Sequence, residues 1–232
     1  FRIAAHVENG TLAYAPQWPP LTRLTGELVI ENDQLHVHTV RARVAGTSFP
    51  LEVTSAQARI TDLYGSPLLT VNGEARGAVA DVLETVVKQS PLGEMLNGVL
   101  NQAQATGNAD YQLNLTIPLD HIDKTTVRGN VALQNNEFQI LPTVPRLTHV
   151  QGTLEFTESG FAVQDAIHAR SLGGSVVLEG GLDFPLGSKR LHIRGNASAE
   201  GLQLPPPIQG RTDYHASLGL EPDGLNGVVD ST

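Results

Sequence analysis

The chain has no cysteine. That excludes a disulfide framework, thiolate catalysis and zinc sites of the cysteine type. It has a single methionine, a single tryptophan, and only 5% aromatic residues. Basic charge is also scarce: 15 Lys and Arg against 24 Asp and Glu give a formal net charge of -9, with no basic run anywhere. Nucleic acid and anionic membrane surfaces select the opposite sign, so no nucleic-acid partner is expected. No apolar run reaches the roughly eighteen residues needed to cross a bilayer as a helix, and no signal-peptide pattern opens the chain. The sequence starts at Phe1 without methionine and stops at GVVDST within a strand-like pattern. It reads as a piece, 1–232, of a longer protein, with any anchor or export signal outside it.

What is present is 40% hydrophobic residues, 17% charged residues, and 23 glycines and 14 prolines spread along 232 positions. This composition suits a folded, turn-rich chain. Period-two alternation dominates. In YQLNLTIP, Leu113, Leu115 and Ile117 take one face and Gln112, Asn114 and Thr116 the other, as successive strand side chains must. Leu28 and Ile30, Val127, Val131 and Leu133, Leu154 and Phe156, Val176, Leu178 and Leu182, and Leu191 and Ile193 repeat the pattern against polar neighbours. ENG, END, NNE, ESG and EPDG read as turns between these runs. The result is an antiparallel meander with one apolar face.

Residues 78–103 depart from it. Val79, Val82, Leu83, Val86 and Val87, then Met95, Leu96, Val99 and Leu100, fall at helical intervals, with Ser90-Pro91 suited to a break between two helices. Asp81 and Glu84 read as helix-surface acids. At 1.5 Å per residue the insert is about 40 Å long at most, too little to cover the whole apolar face. An amphipathic helix on a sheet generally packs as core, so the pair is read first as a plug and second as a lid.

An internal repeat organises the rest. A shift of 126 residues lays Asn9 on Asn135, Leu12 on Phe138, Pro19 on Pro145, Leu21 on Leu147, Gly26 on Gly152, Leu28 on Leu154 and Val37 on Val163, pairing 9–49 with 135–175 without a gap. The helical insert shrinks to AEGLQLPPPIQ in the second copy. A repeated sheet with an optional insert favours an extended, quasi-one-dimensional fold. On periodicity alone a sandwich, a closed barrel and an open trough all remain. Trp18 is replaced by Val144 in the second copy, which marks it as a buried wedge at a proline corner, not a ligand-reading residue.

Catalytic and metal constellations are weak. His36 and His38 share a strand face but lack a third ligand in register. Asp120, His121 and Asp123 in LDHIDK read as a charged turn. NGT, NLT and NAS match the glycosylation pattern but are expected by chance in a chain this rich in Asn, Ser and Thr. There is no nucleophile elbow, phosphate loop or paired-histidine helix motif, so no enzyme activity and no cofactor is expected.

ENGTLAYAPQWPPLTRLTGELVIENDQLHV, with LLTVNGEARG, KQSPLGE, ATGNADYQLNLTIPL, VRGNVALQNNEFQI and LPTVPRLTHVQGTLEFTESGF, resembles the YhdP family of the AsmA-like superfamily over residues 1 to about 200. The resemblance implies a mainly β fold: an elongated, curved antiparallel β-sheet forming an open hydrophobic groove, with a short helical insert. It implies a non-enzymatic bridge that is anchored in the inner membrane of Gram-negative bacteria and spans the periplasm. Its groove would conduct phospholipids, with acyl chains and the rest of its own longer chain as partners and membrane contact outside this segment. Under it the alternation nominates Leu28, Ile30, Leu113, Leu115, Ile117, Val131, Leu133, Leu154, Phe156, Val176 and Leu178 as groove lining. The alternative is a structural or adhesive β-scaffold that binds protein or glycan on its polar faces.

Overall fold

The computed structural model describes residues 2–14, 18–88, 101–142, 144–157, 160–183, 192–203, 211–221 and 224–231. The fold is mainly β and antiparallel, with a small helical insert. It divides into two compact units, Phe1–Gln102 with Asn108–Gly129, and Ala103–Gly107 with Asn130–Thr232.

The first unit holds β1 (Arg2–Leu12), β2 (Leu21–Glu31), β3 (Gln34–Val44), β4 (Glu52–Thr61), β5 (Leu68–Ala78) and β7 (Asn108–Pro118). Neighbours in the sheet are neighbours in this order, and β1 and β7 do not pair to close a barrel. Every pairing is antiparallel. Asn32-Asp33 joins β2 to β3 with Asn32 at φ 54°, a left-handed conformation that asparagine tolerates better than most residues.

The second unit contains β6 (Gln104–Thr106), most of β8 (Thr126–Gln139), then β9 (Leu147–Thr157), β10 (Gly160–Ser171), β11 (Gly174–Asp183), β12 (His192–Gln203), β13 (Arg211–Glu221) and β14 (Gly224–Ser231). Strands β8 to β14 again follow chain order, and β6 lies off that path on β8. Asn136 fixes the β6 pairing. It is fully buried; its Oδ1 accepts from the Gln134 N–H at 2.8 Å and its Nδ2 donates to the Thr106 carbonyl at 3.1 Å. Gly107 lies so close that a Cβ there would stand 2.7 Å from Asn136 Nδ2.

Two of the expected turns are not turns. ENG and NNE fall inside β1 and β8, where Asn9 (φ 52°) and Asn135 (φ 60°) adopt left-handed backbone. The β1–β2 register slips at this point, between Val7 and Gly10. The property that suits asparagine to turns, tolerance of positive φ, serves here to bulge a strand, which bends it and increases its twist. Arg23 (φ 51°) and His149 (φ 53°) form a second such pair. β2 and β9 are each eleven residues long.

The helical insert starts at Val79. One α-helical turn, Val79–Asp81, runs into a π-helical segment, Val82–Val87. The second predicted helix, with Met95, Leu96, Val99 and Leu100, and the Ser90-Pro91 break lie outside the described residues, as do Pro16 of the corner and parts of ESG and EPDG. Asp81 is a correction to the sequence reading. It is not a surface acid but is 6% exposed, because its carboxylate has two backbone amides to bind. Trp18 is half-buried, not enclosed, and its ring stands 6.5 Å from that of Tyr14, itself exposed.

Candidate functional site

The register turns alternation into rows. In the first unit one row runs Ile3, Ile30, Leu35, Ile60, Leu69, Ile117 from β1 across to β7. The next runs Ala5, Leu28, Val37, Ala58, Val71, Leu115. A third ends in Val40, Ala56, Gly73 and Leu113, and a fourth in Ala42, Val53, Ala75 and Tyr111. Directly opposed apolar side chains are the unit of sheet stabilisation, and here they make one continuous apolar face. Leu28, Ile30, Leu113, Leu115 and Ile117, all nominated from sequence, stand on it together.

Among the described residues, this face is covered at one end. Val40, Ala42 and Ala109 are buried, as is Leu51 of the connection 45–51, which sits over Gly77. Towards the rows of Leu115 and Ile117 the side chains are half-buried, and Ile3 is 48% exposed. A sheet packed face to face against another would enclose these positions.

The opposite face is polar. Arg43 Nη2 stands 2.9 Å from Glu52 Oε1, Glu52 is in register with Arg76, and Arg76 grips Asp110 through Nε–Oδ1 (2.5 Å) and Nη2–Oδ2 (3.0 Å). The Arg76 hydrogen bond holds the Asp110 carboxyl below the usual carboxylate range. These pairs are solvent-exposed and add little stability individually, but they mark this side as the wet one.

In the second unit Phe156 faces Phe161, Leu154 faces Val163, Ile167 faces Leu178 and Ala169 faces Val176. Here too burial is graded: Leu133, Val150, Ile167, Ala169 and Val176 are buried, whereas Val131, Leu154, Phe156, Phe161 and Leu178 are half-buried. Of the nominated residues, Leu133 and Val176 are therefore in the packed part.

The polar clusters gather nothing reactive. His36 and His38 stack, with ring centroids 5.7 Å apart and 13° between planes. Among the described residues no group of three or more His, Cys, Asp or Glu could hold a metal ion. Asp120, His121 and Asp123 are exposed around the 3-10 turn Ile122–Lys124.

The sequence reading missed Tyr111. It shares the apolar face with Leu113, its hydroxyl is buried with no hydrogen-bond partner among the described residues, and its phenol pKa is pushed well up, first by burial and then by the charges of Asp110 and Asp81. An aromatic with a polar tip at the end of an apolar alternation was the available signal.

The chain matches a family model described as YhdP protein over residues 1–231. The chain belongs to the YhdP family, within the AsmA-like superfamily. Over 159 residues it is 28% identical to the intermembrane phospholipid transporter YhdP of Escherichia coli (strain K12), an overlap covering 68% of this chain and 12% of that protein. This YhdP-family chain thus spans only a small part of the curated relative's length. No solved structure matches it.

Proposed function

We propose that this chain is one stretch of a lipid-conducting β-groove and that acyl chains of phospholipids lie along its apolar face. The observation that carries the reading is the set of in-register apolar rows left half-exposed, above all Ile30, Leu35, Ile60, Leu69 and Ile117 with Leu28, Val37, Val71 and Leu115. Each acyl methylene brought onto such a wall gains about 0.8 kcal/mol by leaving water. No specific hydrogen bond is needed for that gain, so a succession of aliphatic rows holds a chain without fixing it at one point. The second unit, taken by itself, offers half-buried apolar positions of the same kind at Val131, Leu154, Phe156 and Leu178, while Leu133 and Val176 are buried.

The name of the E. coli relative, an intermembrane phospholipid transporter, supports the same reading. We place the chain in the periplasm, as a segment of a longer protein anchored in the inner membrane whose other parts make the membrane contacts. The repeat of 9–49 in 135–175, with its left-handed residues Asn9/Asn135 and Arg23/His149, supports a groove built from successive copies of one unit. The role is carriage, with no chemistry on the cargo.

Native mass spectrometry and organic extraction of the purified chain test this. Copurifying phospholipid is expected. A lipid-free chain that also takes up none from vesicles would instead support a structural or adhesive scaffold.

A further inference from the structure

The first unit carries two extra pieces of chain on the same end of its apolar face. One is the connection 45–51 between β3 and β4; its counterpart between β10 and β11 is only Leu172-Gly173. The other is the segment Val79–Val87, the described start of the insert between β5 and β6; between β12 and β13 the chain has only 204–210. The two pieces are bonded to each other. The Asp81 carboxylate accepts the Ser48 N–H at 2.7 Å and the Phe49 N–H at 2.9 Å, and Thr85 Oγ1 donates to the Gly46 carbonyl at 3.4 Å. Leu51, 4% exposed, rests where a side chain on Gly77 would be, since a Cβ there would stand 2.7 Å from Leu51 Cδ1. Gly77 and Tyr111 both lie on the apolar face, and Tyr111 senses the Asp81 charge. Burial of Val79, Asp81, Leu83 and Thr85 completes the contact.

We infer that Asp81 is a positioning residue: it latches the Val79–Val87 segment to the 46–49 turn, and the latched pair stops acyl chains at the Leu113 row of the first unit. This rests on the lipid-carrying reading of the face above. An unpaired buried carboxylate is costly and two charge-assisted amide bonds are strong, so the segment and the turn hold or release together. The corresponding connections of the second unit are shorter, Leu172-Gly173 and 204–210, so the Asp81 latch is assigned to the first unit.

The test uses the full chain with Asp81→Ala and Asp81→Asn, followed by hydrogen exchange and by benzophenone photo-cross-linking to phosphatidylethanolamine–phosphatidylglycerol vesicles from position 113 or 117. Asp81→Ala should speed exchange about tenfold or more in 46–49 and 79–88 together, leaving β4 and β5 unchanged. It should raise lipid cross-linking from position 113 several-fold while leaving position 117 as it was. Asp81→Asn, which keeps one acceptor oxygen, should fall between. Independent exchange of the two segments, or unchanged cross-linking at 113 once both have opened, overturns the latch. If Asp81→Ala does not fold, Asp81→Asn decides by the same readouts. Absence of cross-linking at 117 in the parent chain counts against the lipid reading, and exchange alone then decides the latch.

Discussion

Val71 on β5 stands directly opposite Leu115 on β7, and both remain half-buried. Leu133 on β8, at the same phase of its own alternation, is 4% exposed. The two leucines therefore respond differently to charge. Leu115→Asp should leave the circular dichroism spectrum intact and cost at most about 1 kcal/mol, because its carboxylate can reach water. Leu133→Asp should cost about 3 kcal/mol or more, because a buried carboxylate there has no partner. Urea unfolding of the two variants checks this; equal losses would mean that the Leu115 row is closed core.

Leu172 and Gly173 both hold positive φ, 47° and 80°, in the two-residue turn between β10 and β11. Such turns favour Asn-Gly, and leucine pays a steric penalty in this conformation. Leu172 is exposed, so little burial is lost on replacing it. Leu172→Asn should raise stability by about 0.5–1 kcal/mol, read as a higher denaturation midpoint with unchanged slope.

Tyr111 keeps its hydroxyl buried without a hydrogen-bond partner among the described residues. Removing such a group is neutral or favourable, so Tyr111→Phe should match the parent or exceed it by about 1 kcal/mol. Because the folded state raises the phenol pKa, the folded chain resists losing that proton. The associated stability is complete below the ordinary tyrosine pKa of 10.0 and declines as pH climbs above it. The phenylalanine variant should lack that part of the alkaline decline, which melting curves across the alkaline range would detect.

The alternation of Leu113, Leu115 and Ile117 with Gln112, Asn114 and Thr116 was legible because the strand period is fixed by backbone geometry. Which residues stand beside them was not, since Ile60 opposite Leu69 depends on turn lengths and bulges. Asparagine at positions 9 and 135 could not announce whether it would turn the chain or bulge it, and Arg23 and His149 carry no residue signature of positive φ. The site was legible as a face but not as a gradient. Its covered end depends on Asp81 reaching the Ser48 and Phe49 amides, more than thirty residues away in sequence, and no local pattern encodes that.

Asn114 and Leu115 are adjacent in β7 and project from opposite faces, with Asn114 paired to Asn72 and Leu115 to Val71. A benzophenone amino acid at each position in turn, irradiated in cells or with phospholipid vesicles and followed by mass spectrometry of the adducts, tests the central claim most directly. Phospholipid adducts should form from position 115 and be absent from position 114. Adducts from both positions alike, or from neither, would contradict a lipid path along the apolar face.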